Sequence, residues 1–280
     1  MLSDTEKHII HASLQEDVRD GDHTSLACIE PHCKSAAKLK VKERGICCGL
    51  SVAREVYHQI DPEVKFSAFI RDGQAMNEED ILFQVEGSAR SILTAERTAL
   101  NFLQRMSGIA TATAEYVNLI KGTHARLLDT RKTTPGLRVF EKYAVKTGGG
   151  LNHRFGLFDM IMIKDNHIDF AGGIKPAIRR VNEYLTENNK NLHIEIEVRN
   201  FDELREVLSF GNIHRIMLDN FSVPDLKRAV DLIHRRFETE ASGGINKNTI
   251  RSVAETGVDF ISVGALTHQI HSLDLSLVAC

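Results

Sequence analysis

Three short stretches near the start of the chain alternate apolar and polar residues one by one. In "AAKLKVKE" Ala37, Leu39 and Val41 alternate with Lys38, Lys40 and Lys42. The same alternation marks Val64, Phe66, Ala68 and Ile70 in "EVKFSAFI", and Ile81, Phe83 and Val85 in "ILFQVE". A period of two is that of a strand with one wet face, so the pattern predicts an open sheet. Between them Val52, Ala53, Val56, Tyr57 and Ile60 follow helical spacing, which predicts a helix over the dry side. The stretch "SILTAERTALNFLQRMSGIATATAEYVNLI" then carries one apolar stripe through Ala99, Phe102, Leu103, Met106, Ile109 and Ala110. It predicts a long helical connector in which Gly108 is a break or a close contact.

After residue 122 the pattern changes to short apolar runs that end in polar residues: "ARLLDTRK", "FDMIMIKD", "LHIEIEV", "IHRIMLDN", "FETEASGG" and "VDFISVG". Helical patterns lie between the later ones. The last four runs end at Glu197, Asp219, Ser242 and Gly264, so successive ends are 22, 23 and 22 residues apart. A regular strand–helix step of this kind predicts a parallel sheet. Six runs, read as apolar on both faces, favour a closed or nearly closed barrel. An open doubly wound sheet is the alternative, but it usually brings a glycine-rich first turn, and no G-x-G-x-x-G pattern occurs. The final "LDLSLVA" alternates again and predicts a strand returning to the first sheet. The expected organisation is an α/β protein: an N-terminal open α+β sandwich over 1–110, joined by a strand in 268–280, and an incomplete parallel α/β barrel over 111–267.

Composition narrows the partners. With 42% hydrophobic residues in 280, the chain can bury a proper core. A net charge of −3 and a pI near 6.5 give no global field for a polyanion, so nucleic acid is not an expected partner. No apolar run approaches the roughly 18 residues of a membrane span, and "MLSDTEKHIIHASL" lacks a signal-peptide layout; membrane association is not expected and a cytoplasmic location is. Cys28, Cys33, Cys47, Cys48 and Cys280 read as reduced thiols. A zinc site from Cys28, Cys33 and His23 or His32 lacks the usual second ligand pair.

Against this acidic background, the run from Asp129 to Arg154 is rich in cations. In α/β barrels the C-terminal strand ends build the active site. Here they supply Asp129, Arg131 and Lys132; Lys164 and Asp165; Glu195 and Glu197; Asp219 and Asn220; Ser242, Gly243 and Gly244; and Gly264. For any one residue, ordinary polar punctuation is an adequate explanation; a whole rim of them is harder to dismiss. Glycines in "SGG" and "VGAL" let backbone N–H groups approach an anion, which suits a terminal phosphate, though they are also what tight turns need. Glu197 and Asp219 offer hard oxygen ligands for Mg²⁺. Arginine grips carboxylates with two prongs and lysine is a compact charge for phosphates, so Arg131 and Lys132 divide two anionic substrates between them. Gly148 to Gly150 make a deformable loop that would let His153 and Arg154 close over a ligand. Lys164 lies inside an apolar run and needs a partner or a job; a Schiff-base role is the less favoured option. Arg97, Asn101, Gln104 and Arg105 read as a solvated helix face, and Arg138, Lys142 and Lys146 are left to solvent.

Taken together, "DTRKTTPGLRVFEKYAVKTGGGLNHRFGLFDMIMIKDNH", "AERTALNFLQRMSGIAT", "IEIEV", "MLDNF", "EASGGI" and "VGALTH" closely resemble the quinolinate phosphoribosyltransferase family of type II phosphoribosyltransferases. The resemblance covers nearly the whole chain. It implies a sandwich domain with an incomplete α/β barrel, and transfer of phosphoribose from phosphoribosyl pyrophosphate to quinolinate with Mg²⁺, releasing pyrophosphate and CO₂. It further implies that Arg131, His153, Arg154 and Lys164 surround the quinolinate carboxylates. Lys132, Glu197, Asp219 and Asn220 would hold the phosphoribosyl pyrophosphate and its metal, and Ser242, Gly243 and Gly264 its 5′-phosphate. Lys132, Lys164, Glu197 and Asp219 are the expected catalytic set. A homodimer is implied, with Arg97 completing the neighbouring site and further assembly left open. "RDGDHTS" and "ICCGL" depart from the family's more usual residues and touch only local packing. Related enzymes with another pyridine or pyrimidine acceptor, and a non-catalytic phosphosugar-binding protein, are the rival readings.

Overall fold

The computed structural model describes residues 2–280. Among the described residues the strands are β1 (Lys34–Val41), β2 (Gly45–Ile46), β3 (Lys65–Ala68), β4 (Ala75–Met76), β5 (Ile81–Ser88), β6 (Arg126–Leu128), β7 (Ile161–Ile163), β8 (Ile194–Val198), β9 (Arg215–Asp219), β10 (Glu238–Ser242), β11 (Phe260–Ser262) and β12 (Leu275–Ala279). The chain divides into two compact units. One comprises Met1–Ala114, Thr133–Gly149 and Leu266–Cys280; the other comprises Glu115–Lys132 and Gly150–Ala265.

The first unit holds a four-stranded antiparallel sheet in the order β12-β1-β5-β3, with a small β2–β4 pair beside it. Ala37, Leu39 and Val41 are buried and the lysines between them are not, as the period-two pattern requires. The returning strand β12 pairs with β1, Leu39 opposite Leu277. The helix Leu50–Ile60 lays Val52, Ala53, Val56 and Tyr57 against the sheet, where Tyr57, Phe66 and Phe83 form an aromatic cluster with Phe66 and Phe83 4.4 Å apart. Edge strand β3 is wetter than its alternation suggests, with Ala68 exposed. Cys47 and Cys48 are buried thiols, and burial followed by the charge of Asp72 pushes the Cys47 pKa up to about 12.

The connector is one unbroken helix, Ala89–Leu119. Gly108 serves close approach and not a break: a Cβ there would stand 2.1 Å from the His271 carbonyl oxygen. The solvated-face reading fails at Arg105. Its guanidinium hydrogen-bonds the buried Glu141 carboxylate from Nε at 2.9 Å, and also reaches Thr134 Oγ1 and the Thr267 carbonyl. Lys142 is likewise not left to water, being 1% exposed on the helix Arg138–Thr147. The apolar face of that helix carries both residues inward, and buried charges of this kind need partners.

The second unit is a six-stranded parallel sheet in the order β6-β11-β10-β9-β8-β7. That is the order of a barrel cut between β6 and β7, and no ladder joins those two among the described residues. All six apolar runs after residue 122 form its strands. Side chains alternate across a sheet, so the register sorts them. Ile163, Ile196, Val198, Ile216, Leu218 and Ala241 share one buried face. The expectation that both faces are apolar is wrong: Glu195, Arg215 and Glu238 occupy one row of the other face, and Glu197, Met217, Glu240 and Phe260 the next. Sharp helix starts follow the strands. Asn200 caps Phe201–Phe210 by accepting from the amides of Asp202 and Glu203, and Ser222 caps Val223–Ile233 through the Asp225 amide. No helix among the described residues is long and apolar enough to cross a membrane.

Candidate active site

The same alternation carries past the strand ends. Lys164, one residue beyond β7, together with Glu197, Asp219 and Ser242 fall on the charged face at the C-terminal rim of the second unit. Lys164 Nζ donates to Glu197 Oε2 at 2.9 Å. The lysine thus has its partner, and a second bond from its backbone N–H to His167 Nδ1 holds the strand end.

Beside this pair, Asn220 and Gly243 interlock. Asn220 has φ +56°, a left-handed conformation asparagine tolerates. Its N–H donates to the Ser242 carbonyl at 2.9 Å and its side-chain amide to Asp219 Oδ2 at 2.6 Å. Gly243 has φ +94°, and a Cβ there would lie 2.2 Å from Asn220 Oδ1; Gly244, at φ +62°, faces open space. The loop after β10 therefore presents bare backbone next to Asp219, the layout that anion cradles use. Gly264 lies half-buried two residues beyond β11.

After β6, Asp129 is fully buried and accepts the His153 backbone N–H at 2.8 Å, which brings "DTRK" and "NHR" together. Lys132 is exposed, its amide turned back to Thr130 Oγ1 at 3.0 Å. Arg131 and Arg154 are half-buried, and Arg131 Nε is buried without a hydrogen-bond partner. Burial first, and then repulsion from Arg131, draws the Arg154 pKa below the usual arginine value. Two half-buried guanidinium groups on loops joined by the Asp129–His153 bond are chemically suited to carboxylate or phosphate oxygens.

His153 is placed deeper than its neighbour. Its Nε2 lies 3.0 Å from Glu195 Oε2 and 3.4 Å from Glu240 Oε2, while its Nδ1 accepts the Arg154 backbone N–H at 2.7 Å. Burial disfavours the charged ring, yet the two carboxylates outweigh it and hold its pKa up to about 9. The Arg154 amide works the other way, because it needs a lone pair on Nδ1, so Nε2 is the nitrogen that always carries a proton. Glu195, which the sequence puts at the rim, lies below it; burial and then Glu240 push its pKa up to about 7. Burial also opposes ionisation of Glu240, but His153 and Arg215 overcome that and hold it ionised below the usual range. Arg215 and Glu240 escape sequence reading. The one signal they leave is spacing by even numbers: Arg215 and Asp219 four apart in "HRIMLD", and Glu238 and Glu240 two apart in "FETEAS".

Two groupings offer metal-type ligands. His153, Glu195 and Glu240 place ligand atoms within 4.8 Å of one another, but Arg215 Nη1 already sits 3.1 Å from Glu240 Oε2. Glu197 and Asp219, at the rim on adjacent strands, are carboxylates that accept from Lys164 and Asn220 respectively. Arg97, in the first unit, is exposed on the helix Ala89–Leu119.

A parallel α/β sheet whose charged face ends in paired cations, a lysine–glutamate bridge and a glycine-lined loop defines a barrel-type enzyme for anionic substrates. Comparison with known proteins narrows the class. Residues 22–107 match the model of the quinolinate phosphoribosyl transferase N-terminal domain, and residues 109–278 that of its C-terminal domain. The chain is 43% identical over 286 aligned positions to quinolinate phosphoribosyltransferase [decarboxylating] 2, mitochondrial, of Nicotiana glauca, covering 97% of this chain and 81% of that protein. It is 38% identical over 272 positions to the probable nicotinate-nucleotide pyrophosphorylase [carboxylating] of Bacillus subtilis, covering 97% and 92%. The solved nicotinate-nucleotide pyrophosphorylase from Francisella tularensis superposes with a TM-score of 0.94 at 42% identity, over 100% of this chain and 98% of that one. The chain belongs to the quinolinate phosphoribosyltransferase family.

Proposed function

We propose that this protein transfers the phosphoribosyl group of 5-phosphoribosyl 1-pyrophosphate to the ring nitrogen of quinolinate, giving nicotinate mononucleotide, pyrophosphate and CO₂ in NAD biosynthesis. The observation that carries the reading is the meeting of the Arg131 and Arg154 loops through the Asp129–His153 bond, with Arg131 Nε buried and unpartnered. An acceptor with two carboxylates on adjacent ring carbons answers that charge; a monocarboxylate answers only half of it.

In this reading Arg131 and Arg154 grip the acceptor's carboxylates and fix its ring nitrogen toward the sugar, which supplies much of the orientation term. Lys132 and Lys164 hold the pyrophosphate, whose charge grows as the C1–O bond breaks. Glu197, bridged to Lys164, and Asp219 face the ribose and favour positive character at C1. Gly243, Ser242 and Gly264 take the 5′-phosphate with bare backbone, and Asn220 sets the shape of that loop. Attack by nitrogen leaves a pyridinium. The bond from C2 to its carboxylate then breaks, its electrons stay on C2 beside the ring cation, CO₂ departs, and C2 takes up a proton from water.

The donor set at the rim fits Mg²⁺, since Glu197 and Asp219 are hard carboxylate oxygens of the kind this ion shares with substrate phosphates. Bound there, it would neutralise charge on the departing pyrophosphate. A homodimer in which Arg97 reaches a neighbouring subunit's acceptor pocket is supported by the exposed position of that arginine. Water-soluble, charged substrates suit a cytoplasmic setting.

The test is an acceptor panel with phosphoribosyl pyrophosphate and Mg²⁺. Quinolinate should give nicotinate mononucleotide, and nicotinate or pyrimidine acceptors should give turnover lower by at least about a hundredfold. Preferred use of nicotinate would overturn the proposal.

A further inference from the structure

Below the rim, the charged face of the parallel sheet carries a layer that the proposed chemistry does not use. Glu195 and Glu240 are 0% exposed. Arg215 Nη1 lies 3.1 Å from Glu240 Oε2 and 3.9 Å from Glu195 Oε2. The Arg215 guanidinium lies over the Phe260 ring at 4.0 Å, and Arg126 approaches the same ring at 4.5 Å. The Phe260 ring and the Glu238 carboxylate, which accepts from Arg215 Nη2 at 2.9 Å, hold Arg215, and Arg215 holds Glu240. Burying so much charge gives little stability, so the arrangement calls for another purpose. A bound metal ion is the poorer explanation, because Arg215 Nη1 already donates to Glu240 Oε2 at 3.1 Å and would face the ion.

The layer ends on His153, and His153 ends on Arg154. Two hydrogen bonds and an ion-pair contact hold that dipeptide: the His153 N–H to Asp129, the Arg154 N–H to Nδ1, and Nε2 lying 3.0 and 3.4 Å from Glu195 and Glu240. With both ring nitrogens engaged, the imidazole cannot rotate without losing the Arg154 amide. We infer that Glu195 and Glu240, anchored by Arg215, are positioning residues: they lock the His153 ring and, through its Nδ1, the backbone from which Arg154 projects into the acceptor pocket. This rests on the reading of Arg154 as an acceptor-binding group. It adds that the specificity of the pocket is set by a buried carboxylate pair that itself meets no substrate.

The experiment compares Glu195→Gln and Glu240→Gln, alone and combined with His153→Ala. Each glutamine variant should raise the KM for quinolinate about tenfold, leave the KM for phosphoribosyl pyrophosphate within about twofold, and be rescued by no change of metal. In the His153→Ala background the same substitutions should add less than about twofold, since the ring they hold is gone. A full further tenfold loss there would overturn the inference. If Glu240→Gln, which deprives Arg215 of one of its two bonded carboxylates, folds poorly, Glu195→Gln carries the comparison. A second readout is independent of turnover. In protein labelled with ¹⁵N-histidine, the His153 ring, assigned by its loss in His153→Ala, should show a protonated Nε2 and an unprotonated Nδ1. That pattern should shift or broaden in both glutamine variants. Unchanged ring signals would overturn the positioning role even if the native chain proved inactive on quinolinate, whereas inactivity of the native chain bears on the proposed function alone.

Discussion

Replacing Gly243 by alanine puts a methyl carbon 2.2 Å from Asn220 Oδ1, 2.5 Å from its Cγ and 2.9 Å from its backbone nitrogen. The side-chain atoms can swing away, but the backbone nitrogen cannot, because its N–H is bonded to the Ser242 carbonyl. Two costs add: about 1–3 kcal/mol for a non-glycine residue at φ +94°, and about 1–3 kcal/mol for overpacking. Gly244 is the control, since it is next in sequence, also at positive φ, and a Cβ added there would meet no atom within 4 Å. Gly244→Ala should cost only the left-handed backbone penalty, about 1–2 kcal/mol. At about 2–4 °C per kcal/mol for a chain of this size, a central loss of about 4 kcal/mol lowers the apparent Tm of Gly243→Ala by roughly 8–16 °C, against roughly 3–6 °C for Gly244→Ala. Differential scanning calorimetry on both variants measures this. Steady-state kinetics should add a KM for phosphoribosyl pyrophosphate raised about tenfold in Gly243→Ala, because Asn220 is displaced from Asp219. Equal Tm losses in the two variants would refute the interlocking of Gly243 with Asn220.

Other expectations follow from the same geometry. Arg131→Ala should raise the quinolinate KM by more than about tenfold and spare that of phosphoribosyl pyrophosphate, as competition kinetics would read; a wild-type kcat/KM would remove Arg131 from the acceptor pocket. Inactive Arg97→Ala and Lys132→Ala proteins, mixed under subunit exchange, should regain part of the activity through hybrid dimers, and no recovery would count against a shared site. Gly108→Ala should destabilise by about 1–3 kcal/mol despite the roughly 1 kcal/mol helix preference for alanine, because the Cβ meets the backbone oxygen of His271; a raised Tm would contradict the close approach. Burial works against the Asp259 carboxylate, but hydrogen bonds from the Thr239 hydroxyl and amide, with His124, hold its pKa below the usual range. Its contribution is therefore present above pH 4 and lost as pH falls through the depressed folded value. Asp259→Asn should cost about 1 kcal/mol at pH 7, discounted for partial exposure, with the difference in denaturant midpoint closing as pH falls through the depressed folded value; a difference independent of pH would exclude the charge as its source.

Much of this was legible in the chain because it is local. Period-two alternation marked β1 and β5, and the 22–23 residue step marked the parallel strands. The rim residues Lys164, Glu197, Asp219 and Ser242 sit at strand ends that can be found by inspection. What escaped depends on register between distant strands. Arg215 meets Glu240 only when β9 and β10 align in parallel, and either charge alone resembles an exposed strand position. In "IEIEV" the reading of two apolar faces passes over Glu195 and Glu197, which are buried on the charged face only because of the register with β9. Arg105 and Glu141 lie 36 residues apart, so a helix-face argument places the arginine in water. Lys142 shows the limit most plainly: nothing adjacent to it in sequence requires burial, and it is buried.

The central claim is decarboxylating phosphoribosyl transfer, and the most direct measurement follows the carboxylate that should leave. Quinolinate carrying ¹³C in its C2 carboxylate, incubated with phosphoribosyl pyrophosphate, Mg²⁺ and the protein, should release labelled CO₂ in step with unlabelled nicotinate mononucleotide, one for one. Nucleotide that retains the label, or labelled CO₂ formed without nucleotide, would contradict it.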